Sequence, residues 1–267
     1  MAAIEHSTPI AGVALLTMNR PEALNAMTVD LVQGLHDHFD DIAVDRSVRV
    51  VILTGAGRGF CAGLDLTGYG RAPHTEGLGR TQSSFAVQKH IVGLIPKMRS
   101  LPQPIISAVN GAAAGGGFAL VLGSDIRLAA DAAKFSAAFI RIGLSACDIG
   151  TSWLLPRLIG AARAQELMLT GRVFLADEAY RIGLVTELVA GEELLPLALG
   201  KAEQVMHNSP FGVALTKEGM WSALEIPGMQ AAIDLENRQQ IMASATGDFA
   251  EAVAAFAQKR PPNFTDQ

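Results

Sequence analysis

Cysteine and charge are both scarce in this chain, and each shortage removes a class of function. There are two cysteines in 267 residues, Cys61 and Cys147, far apart and without paired spacing around them. Neither a disulfide framework nor a zinc site is therefore expected, and a reducing cytoplasm suits the chain best. Charged residues make up 18% and sum to −5, with no basic block or stripe. The positive field that a nucleic-acid partner would need is missing. The opening MAAIEHSTPI has no basic flank followed by an apolar core, so no signal peptide is expected. Low-complexity tracts and exact repeats are absent as well.

What is abundant is apolar surface, at 49% of residues, enough for a large buried core and too much for disorder. The length is close to the ~250–300 residues at which single cores stop growing, which predicts one compact body with an appendage. Residues 104–124 carry no charge, over more than the ~18 residues that suggest a membrane span. Asn110 and several glycines interrupt the stretch, so a buried strand, a turn and a helix start describe it better, and no membrane partner is expected.

Apolar and β-branched runs at 13–18, 48–54 and 105–109 end in turn signals and predict buried parallel strands. Between the first two, Thr28-x-Asp30 opens a helix over 28–44 with Leu31, Leu35, Phe39 and Ile42 at helical spacing. A polar, glycine-rich section over 66–80 leads to an amphipathic helix at 84–99, ended by Pro102 and Pro104, which is the best candidate for a mobile cover. Short strands at 125–130, 135–138 and 184–189 are set among helices at 151–158, 161–169 and 176–181. This alternation argues for the α/β class. From Glu192 onward the pattern is helical only, with pieces at 203–206, 213–224, 229–242 and 249–258. We divide the chain into a core over 1–195 and a C-terminal helical region over 196–267.

The most informative feature is a pair of glycine-containing turns, each directly after a buried strand. One runs Gly55-Ala56-Gly57-Arg58-Gly59-Phe60-Cys61-Ala62-Gly63-Leu64-Asp65-Leu66, the other Asn110-Gly111 through Gly115-Gly116-Gly117-Phe118-Ala119. Glycines opening an apolar helix cost ~1 kcal/mol each against alanine. Close backbone packing would offset that cost, and so would exposed N–H groups at a helix start aimed at an anionic atom. Taken alone, the turns leave both readings open.

Five motifs in order narrow the choice: Asn19-Arg20-Pro21-Glu22-Ala23-Leu24-Asn25-Ala26, the Phe60–Leu66 segment, Asn110-Gly111 with the triple glycine, Leu169-Thr170-Gly171-Arg172, and Gly183-Leu184-Val185. Together with the tail from Asp248-Phe249 to Phe264, they resemble the crotonase superfamily of enoyl-CoA hydratases and isomerases. The resemblance spans about 10–190 and the tail. It implies a spiral of ββα units, a C-terminal region that assembles homotrimers or dimers of trimers, and an acyl-CoA thioester as substrate. Coenzyme A then enters as part of the substrate, with no separate cofactor and no metal.

The resemblance also implies that the thioester carbonyl sits between the backbone N–H groups of Leu64 and Gly116. Glu22, Ala23, Leu24, Ala62, Gly63, Asp65, Leu66, Gly115, Ala119, Phe139 and Leu144 would line the substrate's path. Each preorganised donor facing a developing oxyanion contributes roughly 3–4 kcal/mol. The hydratases that the chain resembles carry glutamates where it has Ala119 and Phe139, so two-carboxylate hydration is not expected. One carboxylate remains nearby, Asp148. Its segment resembles that of superfamily members using an aspartate there, dienoyl-CoA isomerases for proton transfer and 4-chlorobenzoyl-CoA dehalogenase as a nucleophile. The readings are an isomerase or lyase with Asp148 as acid and base, a hydrolase or substitution enzyme with Asp148 as nucleophile, and a non-catalytic acyl-CoA-binding protein. A plain helix cap near Thr151 is the bland alternative for Asp148.

Other side chains rank lower. His90, on the cover helix, could reach the acyl group, but reads first as a solvated helix histidine. His36 and His38 fall on different helix faces, which argues against a metal. Cys61 and Cys147 read as buried fillers, and Ser145 and Ser152 have no partnered base. Asp65 reads as ordering its own turn. Arg20, Lys89 and Lys259 are possible phosphate contacts, and Phe85 and Trp153 join Phe139 and Ala119 as candidates for an apolar pocket.

Overall fold

The computed structural model describes residues 2–266. The apolar runs become strands, and what lies between them becomes turns and helices. In chain order the elements are β1 (Ile4–Ser7), β2 (Val13–Met18), α1 (Val29–Val44), β3 (Val50–Gly55), β4 (Gly59–Cys61), α2 (Arg80–Val92), α3 (Leu94–Ser100), β5 (Ile105–Val109), β6 (Ala112–Ala114) and α4 (Gly116–Gly123). There follow β7 (Ile126–Ala130), β8 (Lys134–Ser136), α5 (Thr151–Ile159), α6 (Ala161–Thr170), β9 (Phe174–Leu175), α7 (Ala176–Arg181) and β10 (Glu187–Val189). Four helices close the chain: α8 (Leu194–Met206), α9 (Pro210–Ala223), α10 (Met229–Ser244) and α11 (Gly247–Gln258).

Three successive units bend in the same way. β3, β5 and β7 lie parallel in a sheet ordered β1-β2-β3-β5-β7-β10. The strand after each of them, β4, β6 or β8, joins a second sheet ordered β4-β6-β8-β9. Each unit thus gives one strand to either sheet and then one or more helices. This is the α/β spiral of ββα units that the motifs imply. β1 and β9 are antiparallel additions at sheet edges.

Helix α4 is the centre of the packing. Every one of its residues is buried, so it has no polar face to offer solvent. Phe118 meets Phe135 and Phe174 edge to face, with centroids 6.2 and 5.9 Å apart. On the other side of the larger sheet, α8 lays Leu194, Ala198 and Ala202 over Val13, Val50, Ile52 and Ile106. The chain after residue 195 therefore shares the core of the strands. Among the described residues no helix is long and apolar enough to cross a membrane.

Two expectations are corrected. The single helix foreseen at 84–99 is two, α2 and α3, meeting at Gly93. Its apolar face belongs to α3, which buries Leu94, Ile95 and Met98, whereas α2 buries Ile91 alone. The short piece foreseen at 203–206 is the end of α8.

Helix α9 is fixed to the core by a buried ion pair. Lys217 Nζ lies 2.9 Å from Asp125 Oδ2, with the two side chains 3% and 5% exposed. The ammonium also donates to the carbonyls of Met98 and Gln103 at 2.8 and 3.0 Å, which fills its three donors. The carboxylate accepts from the Ile105 N–H and Trp221 Nε1, both at 2.8 Å. Burial pulls the Lys217 pKa below its ordinary value, and the Asp125 charge opposes that pull. Because removing one partner strands the other charge, Asp125→Ala is expected to cost about 3–5 kcal/mol in urea unfolding. A loss below about 1 kcal/mol would show that this network does not anchor α9.

Candidate active site

The two glycine turns meet at their backbones. Met27 clamps the first: its N–H donates to the Gly63 carbonyl at 2.7 Å, and its carbonyl accepts from the Asp65 N–H at 3.0 Å. In a parallel bridge of this kind the residue between, Leu64, turns its own N–H the other way. The second turn starts α4 at Gly116. Among the described residues neither the Leu64 nor the Gly116 N–H donates a hydrogen bond.

Absent side chains make this meeting possible. A Cβ on Gly63 would sit 2.7 Å from the Ala114 carbonyl oxygen and 3.3 Å from the Gly116 nitrogen, and Gly63 has a φ of +90°. A Cβ on Gly117 would overlap the Cys61 carbonyl. Two amides hold the turns in place. Buried Asn25 donates to the carbonyls of Ala56 and Gly59 at 3.0 and 2.8 Å, and Asn110 donates to those of Gly55 and Gly57, both at 2.9 Å.

A cavity of about 130 Å³ opens at the meeting point, walled by Ala62, Gly63, Leu64 and Leu66 from one turn and Gly115 and Gly116 from the other. Phe139, Leu144 and Asp148 close it, so nine of the residues expected at the site are together. A hollow of about 660 Å³ between α9, α10 and α11 includes neither turn.

Asp148 is half-buried at the mouth of this cavity. Its carboxylate does not cap α5, whose first residues follow Gly150 with no side-chain cap. Oδ1 instead accepts from Gln88 Nε2 at 2.5 Å and from the Ile149 N–H at 2.8 Å. Ile149 has a φ of 45°, which a β-branched residue adopts only under strain. It packs against Gly116, where a Cβ would lie 3.3 Å from Ile149 Cδ1.

A family model described as enoyl-CoA hydratase/isomerase matches residues 9–267. The chain belongs to the enoyl-CoA hydratase/isomerase family. It is 44% identical over 264 residues to the probable enoyl-CoA hydratase EchA12 of Mycobacterium tuberculosis, covering 98% of this chain and 92% of that one. It is 39% identical to the 1,2-epoxyphenylacetyl-CoA isomerase of Escherichia coli, covering 95% of each. The crystal structure of a probable enoyl-CoA hydratase/isomerase from Mycobacterium abscessus matches with a TM-score of 0.94 and 40% identity over 100% of both chains. Family membership bears out the crotonase resemblance and the reading of the chain as a hydratase/isomerase-type enzyme.

Other expected site residues of this family member lie outside the cavity lining. Ala119 is fully buried inside α4, one turn past Gly116. Glu22 and Ala23 form a short turn, with Glu22 exposed, and the Leu24 carbonyl accepts from the Ala62 N–H at 3.0 Å. Asp65 is tied down: its Oδ1 accepts from the Thr67 hydroxyl and N–H at 2.6 and 3.0 Å, and its Oδ2 takes both Arg20 Nη atoms at 3.0 Å. These bonds, those from Thr67 foremost, hold its pKa below the usual carboxylate range. Arg20 is thereby engaged. Leu24 and the Arg20–Asp65 pair thus brace the first turn.

Lower-ranked candidates also find their places. Trp153 lies under Arg157 at 4.0 Å, outside the cavity, and Phe85 is exposed on α2. Cys61 is buried and its thiol is pushed up to about 12 by desolvation, so it stays protonated at neutral pH. Cys147 is exposed, which corrects its reading as a buried filler. His90 faces away from the cavity, between Tyr69 and Gln33.

Met27, Gln88, Ile91, Ala138, Ile142 and Ile149 also line the cavity, and sequence reasoning did not assign them. Gln88 and Ile91 carry a legible signal in retrospect, since a spacing of three places both on one face of α2. The tight approach at Gly63 leads to a test of this geometry. Gly63→Ala is expected to lose about 1–3 kcal/mol of stability in thermal or urea unfolding. A variant as stable as the parent would mean the two turns are not in forced contact.

Proposed function

We propose that this chain binds an acyl-CoA thioester with its carbonyl oxygen between the N–H groups of Leu64 and Gly116, and that Asp148 moves a proton at the acyl carbons beside it. The reaction is an isomerisation. Asp148 takes a proton from one carbon, the electron pair delocalises onto the thioester oxygen as an enolate, and the same carboxyl returns the proton at another carbon. Nothing is added or lost, so the step needs no oxidant or reductant.

One observation carries this reading: Asp148 is the only ionisable side chain among the residues lining the cavity. Hydration by a paired acid and base would need a second group, while one carboxyl that gives back what it took suffices for isomerisation. The free N–H groups of Leu64 and Gly116 support it, since each donor aimed at a developing oxyanion is worth roughly 3–4 kcal/mol. The 39% identity to an isomerase of an acyl-CoA points the same way.

Asp148→Asn keeps size and shape and removes the base. Turnover of 2-enoyl, 3-enoyl, dienoyl and aryl-acetyl CoA thioesters is expected to fall by about 10²–10⁴-fold. Melting temperature and CoA-ester affinity should stay near those of the parent. A variant that keeps turnover removes Asp148 from the mechanism. Appearance of oxygen from labelled water in a released carboxylate would instead favour Asp148 as a nucleophile.

The C-terminal region fits assembly with other copies of the chain. Helix α10 spans 16 residues and buries none of them, and Met229, Ile241 and Phe256 are 78%, 71% and 88% exposed. Apolar surface of this kind marks an interface. We therefore read 196–267 as the assembly region of a homotrimer or a dimer of trimers. Light scattering on the eluted protein should give the mass of three or six chains, and a monomer at micromolar concentration overturns this assignment.

A further inference from the structure

The two oxygens of Asp148 are not equivalent. Oδ1 accepts two hydrogen bonds, from Gln88 Nε2 and the Ile149 N–H, whereas Oδ2 takes part in none among the described residues. Two donors fill the two lone pairs of Oδ1, so a proton arriving at this carboxyl has only Oδ2 to occupy. The same pair of bonds persists whether or not Oδ2 is protonated.

The two donors differ in what they fix. Ile149 N–H belongs to the next residue and would donate to either oxygen after a half-turn of the carboxylate. Gln88 comes from another element and lines the cavity, so its bond ties one particular oxygen to α2. It stands on α2, which has little apolar attachment of its own, burying only Ile91. Two residues further along, His90 moors that helix. Its Nε2 lies 3.0 Å from Gln33 Oε1, its Nδ1 lies 2.7 Å from the Tyr69 hydroxyl, and its ring stacks on His36 at 5.1 Å. Gln33 Oε1 can only accept, so Nε2 carries the hydrogen and Nδ1 accepts from Tyr69. Burial, with His36 adding to it, holds the His90 pKa below its ordinary value, which keeps this neutral form at pH 7.

We propose that Gln88 is a positioning residue for the reaction: its amide binds Oδ1 of Asp148 to helix α2 and leaves Oδ2 as the oxygen that takes and returns the substrate proton. This rests on the acid/base reading of Asp148 given above. The proton leaves the carbon next to the thioester for Oδ2, its electron pair passes to the thioester oxygen, and the reverse step restores both. Without the Gln88 bond the carboxylate rotates, and Oδ2 spends less time in line with the carbon.

Hydrogen exchange at the α carbon tests this without knowledge of the natural acyl group. Butyryl-CoA and phenylacetyl-CoA are incubated with the full-length protein in deuterated water and followed by NMR. Gln88→Met keeps length and helix propensity and deletes the donor. At saturating thioester it is expected to slow exchange by roughly 10–100-fold, with the half-saturating concentration changed by less than about 3-fold and the melting temperature unchanged. In the Asp148→Asn background the same substitution should alter the residual rate by less than about 2-fold, because two residues acting as one unit are not additive. Parental exchange by Gln88→Met, while Asp148→Asn is inactive, overturns the role of Gln88 and leaves the acid/base reading standing. A raised half-saturating concentration with the rate intact makes Gln88 a binding group and also overturns it. Undiminished exchange by Asp148→Asn, or none by the parent chain, overturns the acid/base reading and this inference together.

Discussion

Two loop backbones that touch with no side chain between them set the rest of this molecule. A thioester oxygen is small, so two N–H groups can share it only if the chains carrying them come within a few ångströms. That separation is incompatible with a Cβ at Gly63 or Gly117. The backbone cost of such glycines is recovered through amides that hold the turns from outside. Asn25 and Asn110 both donate to the Gly59 carbonyl, at 2.8 and 3.3 Å, so one peptide group is held by two side chains from different units of the spiral. Behind it, α4 presents an all-buried helix whose first N–H groups have no carbonyl below them to bond.

How much of this could be read from residues alone depended on whether local chemistry or tertiary contact decides each element. β2, β3 and β5 are runs of valine, isoleucine and leucine, and their composition announces them. β4 and β6 are Gly-Phe-Cys and Ala-Ala-Ala, which have little strand propensity and exist because they pair with each other and with β8. Of the second sheet only β8, foreseen as a strand over 135–138, was legible, although the glycine turns that contain β4 and β6 were the most legible feature of the chain. Gly63, Leu64 and Gly116 followed from motif order. Ala119, also expected at the site, is fully buried within α4 and does not line the cavity. Gln88 belongs to no motif, and only the fold brings it to a carboxylate sixty residues away.

The C-terminal helices divide by the same logic. α8 carries small apolar residues at helical spacing and lies flat on the larger sheet, with Ala198 and Ala202 allowing close approach. α9 is tied to the core by a lysine whose every donor is filled. α10 has neither device within its own chain. Its apolar residues are not arranged as one stripe toward the core, which accords with the assembly role proposed for this region.

On the proposed path the cavity keeps one negative charge throughout and only relocates it. The charge begins on Asp148, where Oδ1 holds two donors, Gln88 Nε2 and the Ile149 N–H. It moves to the thioester oxygen, where two donors wait, the N–H groups of Leu64 and Gly116. Fixed dipoles at both ends mean that less solvent need reorganise as the proton crosses, and Met27, Ile91 and Phe139 supply a buried apolar wall between them. A second carboxylate in the same cavity would break this balance, because its charge would oppose the enolate and the ionised Asp148 alike. The single acid is therefore consistent with a reaction that returns the proton it removes.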